Sequence, residues 1–293
     1  MRAFGDYNPR ITAIYFAIII GISMLCMNPV LQCLSFLGGL LYFVISDEDG
    51  LRLKTHAFYG AVFLITALIN PLVSHNGVTV LLVVNDNPIT LEAVIYGVFA
   101  ALAIVTALYW FRCFSGVMTS DKLLYICGGL SPRISLVISM SLRFVPLFRR
   151  HYREVRLAQT ALGVYKDETF GSRLKGGVAV FSSMVTWALE NGIVTADSMT
   201  ARGYGTGRRS FFSDYKVRKN DLIMLFIVVC LGVVTILSIA VGALTVDFYP
   251  AFCWKGLSGW SVSGVVAFGL LCFIPVFVEI GEKIKWHFLT LKI

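Results

Sequence analysis

The chain has 293 residues, 57% of them hydrophobic and only 14% charged, with a mean hydropathy of +0.77. A soluble domain carries charge on about a quarter of its residues, so this composition excludes one and points to a polytopic membrane protein. The net charge of +8 is of the kind that marks the cytoplasmic side of a membrane protein, and no nucleic-acid partner is expected from it.

The N-terminal MRAFGDYNPR reaches its first apolar run at Ile11 without a small-residue cleavage pattern, which predicts a retained span and not a signal peptide. The apolar block 11–46 is interrupted at Asn28-Pro29. At ~1.5 Å per residue one helix of that length would overshoot a ~30 Å hydrocarbon core. Two short helices, 11–27 and 29–46, joined by a tight hairpin are therefore expected. A polar segment (46–56) precedes a third span, 57–73, closed by the break Asn70-Pro71. The next stretch, 73–90, has no Lys or Arg, and its apolar centre, Val78 to Val84, is too short to cross; it reads as a strand or a re-entrant piece. A fourth span, 91–111, ends at Trp110 and Arg112, read as an interfacial aromatic followed by a cation. Residues 1–117 form an N-terminal membrane domain on this reading.

From 118 to 220 the character changes: this segment holds sixteen of the 25 Lys and Arg residues. Ser131-Pro132 signals a helix start, with a run to about Gly163. Residues 134–148 are apolar but cut by Arg143 and Pro146, which predicts a kink. Residues 176–196 are apolar but carry Glu190 and Asn191 between basic flanks. The segment reads as an amphipathic helical domain along the membrane interface, in contact with the lipid bilayer. Residues 221–293 supply two further spans, about 222–246 and 261–280, and a basic tail. The expected fold is thus all-α and polytopic, about six transmembrane helices with a domain of long helices between the fourth and fifth. With 118–220 cytoplasmic, Arg2, Arg10, Arg52, Lys54, Lys283, Lys285 and Lys292 also fall inside, leaving only Lys255 outside. The positive-inside rule so places both termini in the cytoplasm.

No catalytic constellation is present: the four histidines form no HExxH, and no nucleophile elbow or Walker loop occurs. The seven cysteines form no CxxC and lie mostly in apolar runs, so neither a metal site nor a disulfide framework is expected. Ionisable residues are nearly absent from the spans, which argues against a transporter driven by its own proton or ion relay. One internal echo stands out. Thr160-Ala161-Leu162-Gly163 and Thr200-Ala201-Arg202-Gly203 share T-A-x-G, each closing an amphipathic helix. The second runs on into Gly205, Gly207 and Arg208-Arg209. A helix that stops at glycine leaves carbonyls for which a cation is favourable.

On SLRFVPLF (141–148), REVRLAQTALG (153–163) and ADSMTARGYG (196–205), the chain resembles the transmembrane coupling component (EcfT, CbiQ-like) of energy-coupling factor transporters. The resemblance implies a non-catalytic subunit of an ABC-type importer in the cell membrane. Such a subunit transmits ATP-driven motion from two ATPase subunits to a substrate-binding membrane S component, for uptake of a vitamin or a transition metal ion. It implies no cofactor in this chain, with ATP and Mg held by the ATPases. It also implies two Ala-Arg-Gly motifs that dock into ATPase grooves. The second is intact as Ala201, Arg202 and Gly203. The first reads Ala161, Leu162 and Gly163, with Leu162 in place of Arg and Arg156 the nearest alternative source of charge. Small residues and a proline on the two long helices, Ser135, Ser139, Pro146, Gly177 and Ser183 among them, serve either as a contact for the S component or as internal packing. The competing reading from composition alone is a membrane receptor, scaffold or enzyme whose basic domain binds lipid or protein.

Overall fold

The computed structural model describes residues 3–46, 53–74, 77–84, 87–130, 132–163, 170–204, 206, 215, 217–249, 253–254 and 258–290. A 3-10 turn (Ala3–Asp6) leads into α1 (Pro9–Leu25), α2 (Pro29–Ser46) and α3 (Leu53–Val73). The hairpin β1 (Val80–Val84) and β2 (Asn87–Thr90) precedes α4 (Leu91–Val117), α5 (Ser120–Leu130), α6 (Pro132–Ala161) and α7 (Phe170–Ala201). Then come α8 (Lys219–Ala240), the small hairpin β3 (Val246–Asp247) and β4 (Cys253–Trp254), and α9 (Gly259–Thr290). The protein is an all-α polytopic membrane protein. Its chain divides into two compact units, one of residues 1–123 with 215–293 and one of residues 124–214.

In the first unit, α1 and α2 begin with the same device. Asn8 Oδ1 accepts Arg10 N at 3.1 Å and Asn28 Oδ1 accepts Val30 N at 3.0 Å, each ahead of a proline that needs no donor partner. Asn28 also donates to Leu244 O at 3.0 Å, and Gln32 Nε2 reaches back to the last carbonyls of α1, Ser23 O and Cys26 O. The expected hairpin is thus a capped corner. Asn70-Pro71 behaves differently from the expectation: Pro71 lies inside the last turn of α3, which runs on to Val73. The carbonyl that Pro71 cannot reach, Ala67 O, sits 3.0 Å from where a Cβ on Gly97 would stand, so α4 approaches α3 closely at that point.

The core is built around Trp110, which is 0% exposed. Its indole N–H donates to Ser35 Oγ at 3.0 Å, and Ser35 shares a 2.6 Å hydrogen bond with Ser23 Oγ. Tyr15, Phe16 and Tyr42 lie against the ring. The interfacial reading of Trp110 was therefore wrong. The helix continues to Val117, and the polar tip finds a serine instead of water. Glycine sets the nearest helix crossings: a Cβ on Gly38 would fall 2.9 Å from Cys272 Cβ, and one on Gly264 2.6 Å from Ser238 Cβ.

The span ends also differ from expectation. Among the described residues, six helices are long and apolar enough to cross a membrane, namely α2, α3, α4, α7, α8 and α9, while α1 at 17 residues is shorter. α7 passes that test at a mean hydropathy of 1.2 against 3.1 for α8. Val80–Val84 is a strand, paired antiparallel with β2. α9 extends well past 280, and buried near its middle is Glu279, 1% exposed, a carboxylate that the apolar pattern hid.

Glu279 accepts from Phe4 N at 3.3 Å and so anchors the N-terminal turn. Phe4 plugs the aromatic cluster beside Tyr15, Phe16 and Tyr42. Bonds from this turn and from the cap of α1 reach the places where the chain leaves and re-enters this unit. Lys122 Nζ donates to Gly5 O at 2.5 Å and to Val117 O at 3.1 Å, and Asn8 Nδ2 donates to Tyr215 O at 3.2 Å. Burial pulls the Lys122 ammonium below the usual lysine range, with Asp6 opposing the shift.

In the second unit α6 runs without interruption through Pro146, where a kink is expected from the sequence. It pairs with α7 through an aromatic contact: His151 stacks on Trp187 at 4.3 Å between ring centroids, and Phe148 meets the same indole edge-on at 5.5 Å. Neither helix buries much else, and Gly176 and Val180 are the buried residues of α7.

Candidate functional site: two glycine-terminated helix ends

The echo seen in sequence is an echo in structure. α7 ends in a Schellman turn: Gly203 N donates to Thr200 O at 2.9 Å and Tyr204 N to Met199 O at 2.9 Å, with Gly203 at φ 75°. α6 ends alike, with Gly163 N donating to Thr160 O at 3.0 Å and Gly163 at φ 81°. Thr160 and Thr200 each turn the hydroxyl back onto their own helix, Thr160 onto Arg156 O at 2.8 Å and Thr200 onto Ala196 O at 3.1 Å. Leu162 and Arg202 therefore occupy the same C-cap position of two matching helix ends. Both are exposed, Leu162 at 81%.

A glycine stop is not by itself a site. α8 ends the same way, with Gly242 at φ 73° and Ala243 N donating to Ser238 O at 3.2 Å. What distinguishes the end of α7 is the arginine. Among the described residues, Arg202 has no carboxylate within ion-pair distance, whereas Arg150 and His151 of α6 share Glu154. A planar guanidinium free at a helix end is suited to a bidentate carboxylate on another molecule. Ala161 and Ala201 are exposed too, leaving both ends bare. Gly205, Gly207, Arg208 and Arg209 lie outside the described residues.

Arg156 is exposed on the side of α6 that also carries Arg149, Tyr152 and Arg153, and these border a cavity with Met184 of α7. The grouping was missed in the sequence because RRHYREVR reads as a solvated charge run; the helical spacing of 149, 153 and 156 was the available signal. The small residues singled out for partner contact divide. Ser139, Pro146, Gly177 and Ser183 are exposed, whereas Ser135 donates to Leu124 O at 3.3 Å within its own unit. Space around Gly177 is open, and Ser183 donates to Ala179 O at 3.0 Å.

The sequence profile of CbiQ, cobalt transport protein, matches residues 4–212. The chain belongs to the CbiQ family. That family is described as one of cobalt transport proteins, membrane components and not enzymes. The match takes in both helix ends, and α8 and α9 lie beyond it. Among curated proteins, this CbiQ-family chain is 25% identical over 190 residues to an uncharacterized protein of Mycoplasma genitalium. That alignment covers 61% of the present chain but only 44% of the length of that relative.

Proposed function

We propose that the chain is the coupling subunit of an importer driven by two ABC-type ATPases, handing their motion to a substrate-binding membrane S component. The cargo is a vitamin or a transition metal ion, cobalt being the one that the family's description names. The observation that carries the reading is the pair of matching helix ends with exposed C-cap residues, Leu162 and Arg202. Two like ends suit two like ATPases. Each ATPase receives one helix end; ATP-driven movement changes the distance between α6 and α7 and is passed to the spans. The cytoplasmic side is assigned to residues 118–220 and to both termini by the basic residues gathered there. On this topology α1 crosses and α7 lies along the interface, which keeps the charge bias intact. ATP and Mg belong to the partners.

Co-purification tests the proposal. The detergent-extracted wild-type protein carries ATPase subunits, and Arg202→Glu releases them while membrane insertion is unchanged. Undiminished ATPase binding by Arg202→Glu rules out the docking role of this residue. Losing one partner of a buried, hydrogen-bonded ion pair costs ~2–5 kcal/mol, against ~0.3–1 kcal/mol for a solvated cation at a helix end. The size of the loss separates the two roles.

A further inference from the structure

The second unit contains a cavity of about 760 Å3 bordered by Arg149, Tyr152, Arg153 and Arg156, with Phe148, Leu157 and Met184 as its apolar lining. We propose that this groove binds the phosphate headgroup of an anionic phospholipid from the inner leaflet, with the start of an acyl chain over the apolar lining. The placement in the inner leaflet rests on the topology proposed above.

The groove's charge is uncompensated. α6 holds one acidic residue, Glu154, which Arg150 engages at 3.2 Å and which lies 3.5 Å from His151 Nδ1. Arg149, Arg153 and Arg156 have no carboxylate partner among the described residues. Their spacing along the helix sets three guanidinium groups on one side, and each can fork onto phosphate oxygens. Carboxylate-bearing protein would satisfy the charge equally, so the apolar part decides. Upstream of Phe148 the same helix exposes Ile134, Val137, Leu142, Val145 and Leu147. With Arg143 as the one exposed cation in 134–148, the surface changes from mostly apolar to mostly basic at Phe148–Arg149, as a helix does where hydrocarbon gives way to headgroups. A lipid held by its phosphate at Arg149 and Arg153 finds Phe148, Leu157 and Met184 beside it and the mostly apolar exposed surface of 134–148 beyond.

The test uses the full-length protein reconstituted from vesicles of equal parts phosphatidylcholine and phosphatidylglycerol, extracted mildly, with retained lipid read by native mass spectrometry. Wild type retains phosphatidylglycerol in preference to phosphatidylcholine. Arg149→Gln/Arg153→Gln lowers that preference by on the order of tenfold or more, as loss of two charge-assisted contacts requires. Arg149→Lys/Arg153→Lys, which keeps the charge, recovers part of it. Equal retention of the two lipids by wild type, or an unchanged preference in the glutamine variant, overturns the proposal. ATPase co-purification from the same preparations keeps this result apart from the docking reading. If the glutamine variant sheds the ATPase but keeps its phosphatidylglycerol, the arginines serve the partner and the lipid site is refuted. Should the double variant aggregate, Arg153→Gln alone supplies the comparison.

Discussion

Arg202 and Leu162 stand at equivalent places in two helix ends that share their glycine turn and their back-bonded threonine. The two ends differ at that position, so the contacts that they offer to a partner are unequal. Arg202 offers charge and a planar fork; Leu162 offers exposed apolar surface. Leu162→Arg is accordingly expected to raise the salt concentration at which ATPase subunits elute from the complex, while Arg202→Glu removes them. An unaltered elution profile for Leu162→Arg means that the first end meets no acidic groove. In the first unit Trp110 is buried at the centre of the aromatic cluster. Trp110→Ala empties the centre of the aromatic cluster and leaves Ser35 and Ser23 without the indole donor, at a cost of ~3–5 kcal/mol. A marked fall in Tm in detergent is the expected readout.

At the scale of elements, the close crossing of α2 and α9 leaves no room at Gly38. Gly38→Leu forces the helices apart and is expected to destabilise by roughly 1–3 kcal/mol. Gly177→Leu, where the surroundings are open, is neutral for folding. Comparing the two by thermal unfolding separates helix packing from any loss of partner binding. The N-terminal turn is the second element with a specific consequence. It holds Lys122 through Gly5, and the adjoining cap of α1 holds Tyr215 through Asn8, so both segments that lead to the second unit are tied to residues 5–8. Lys122→Met and Asn8→Ala are expected to speed proteolysis near residues 122 and 215 while leaving cleavage between α2 and α3 unchanged. Uniform acceleration at all sites would point to general destabilisation instead.

For the whole molecule the question is which side each part faces. The proposed topology sets the basic residues of 118–220 in the cytoplasm, whereas length and apolarity alone also admit α7 as a span. Cysteine accessibility decides. In a background lacking native cysteines, a membrane-impermeant thiol reagent applied to intact cells is expected to label Val83→Cys in β1. Leu157→Cys and Leu189→Cys should react only after permeabilisation. Labelling of Leu157→Cys from outside reverses the topology.

Composition and charge by themselves determined that this is a polytopic helical membrane protein and where its basic residues gather, because hydropathy and charge are sums over residues and need no partner. The helix ends were legible too, since T-A-x-G states a local hydrogen-bond pattern that glycine completes. Tertiary structure alone decided what Trp110, Glu279 and Pro71 do, and brought Arg149 to one cavity with Met184 of α7. Each of these is ambiguous locally: a tryptophan near a span end suits an interface or a core, and a proline suits a break or a last turn. Ser35, Phe4 N and the close approach of Gly97 resolve the first three. They do so through residues tens to hundreds of positions away, which no periodicity can report.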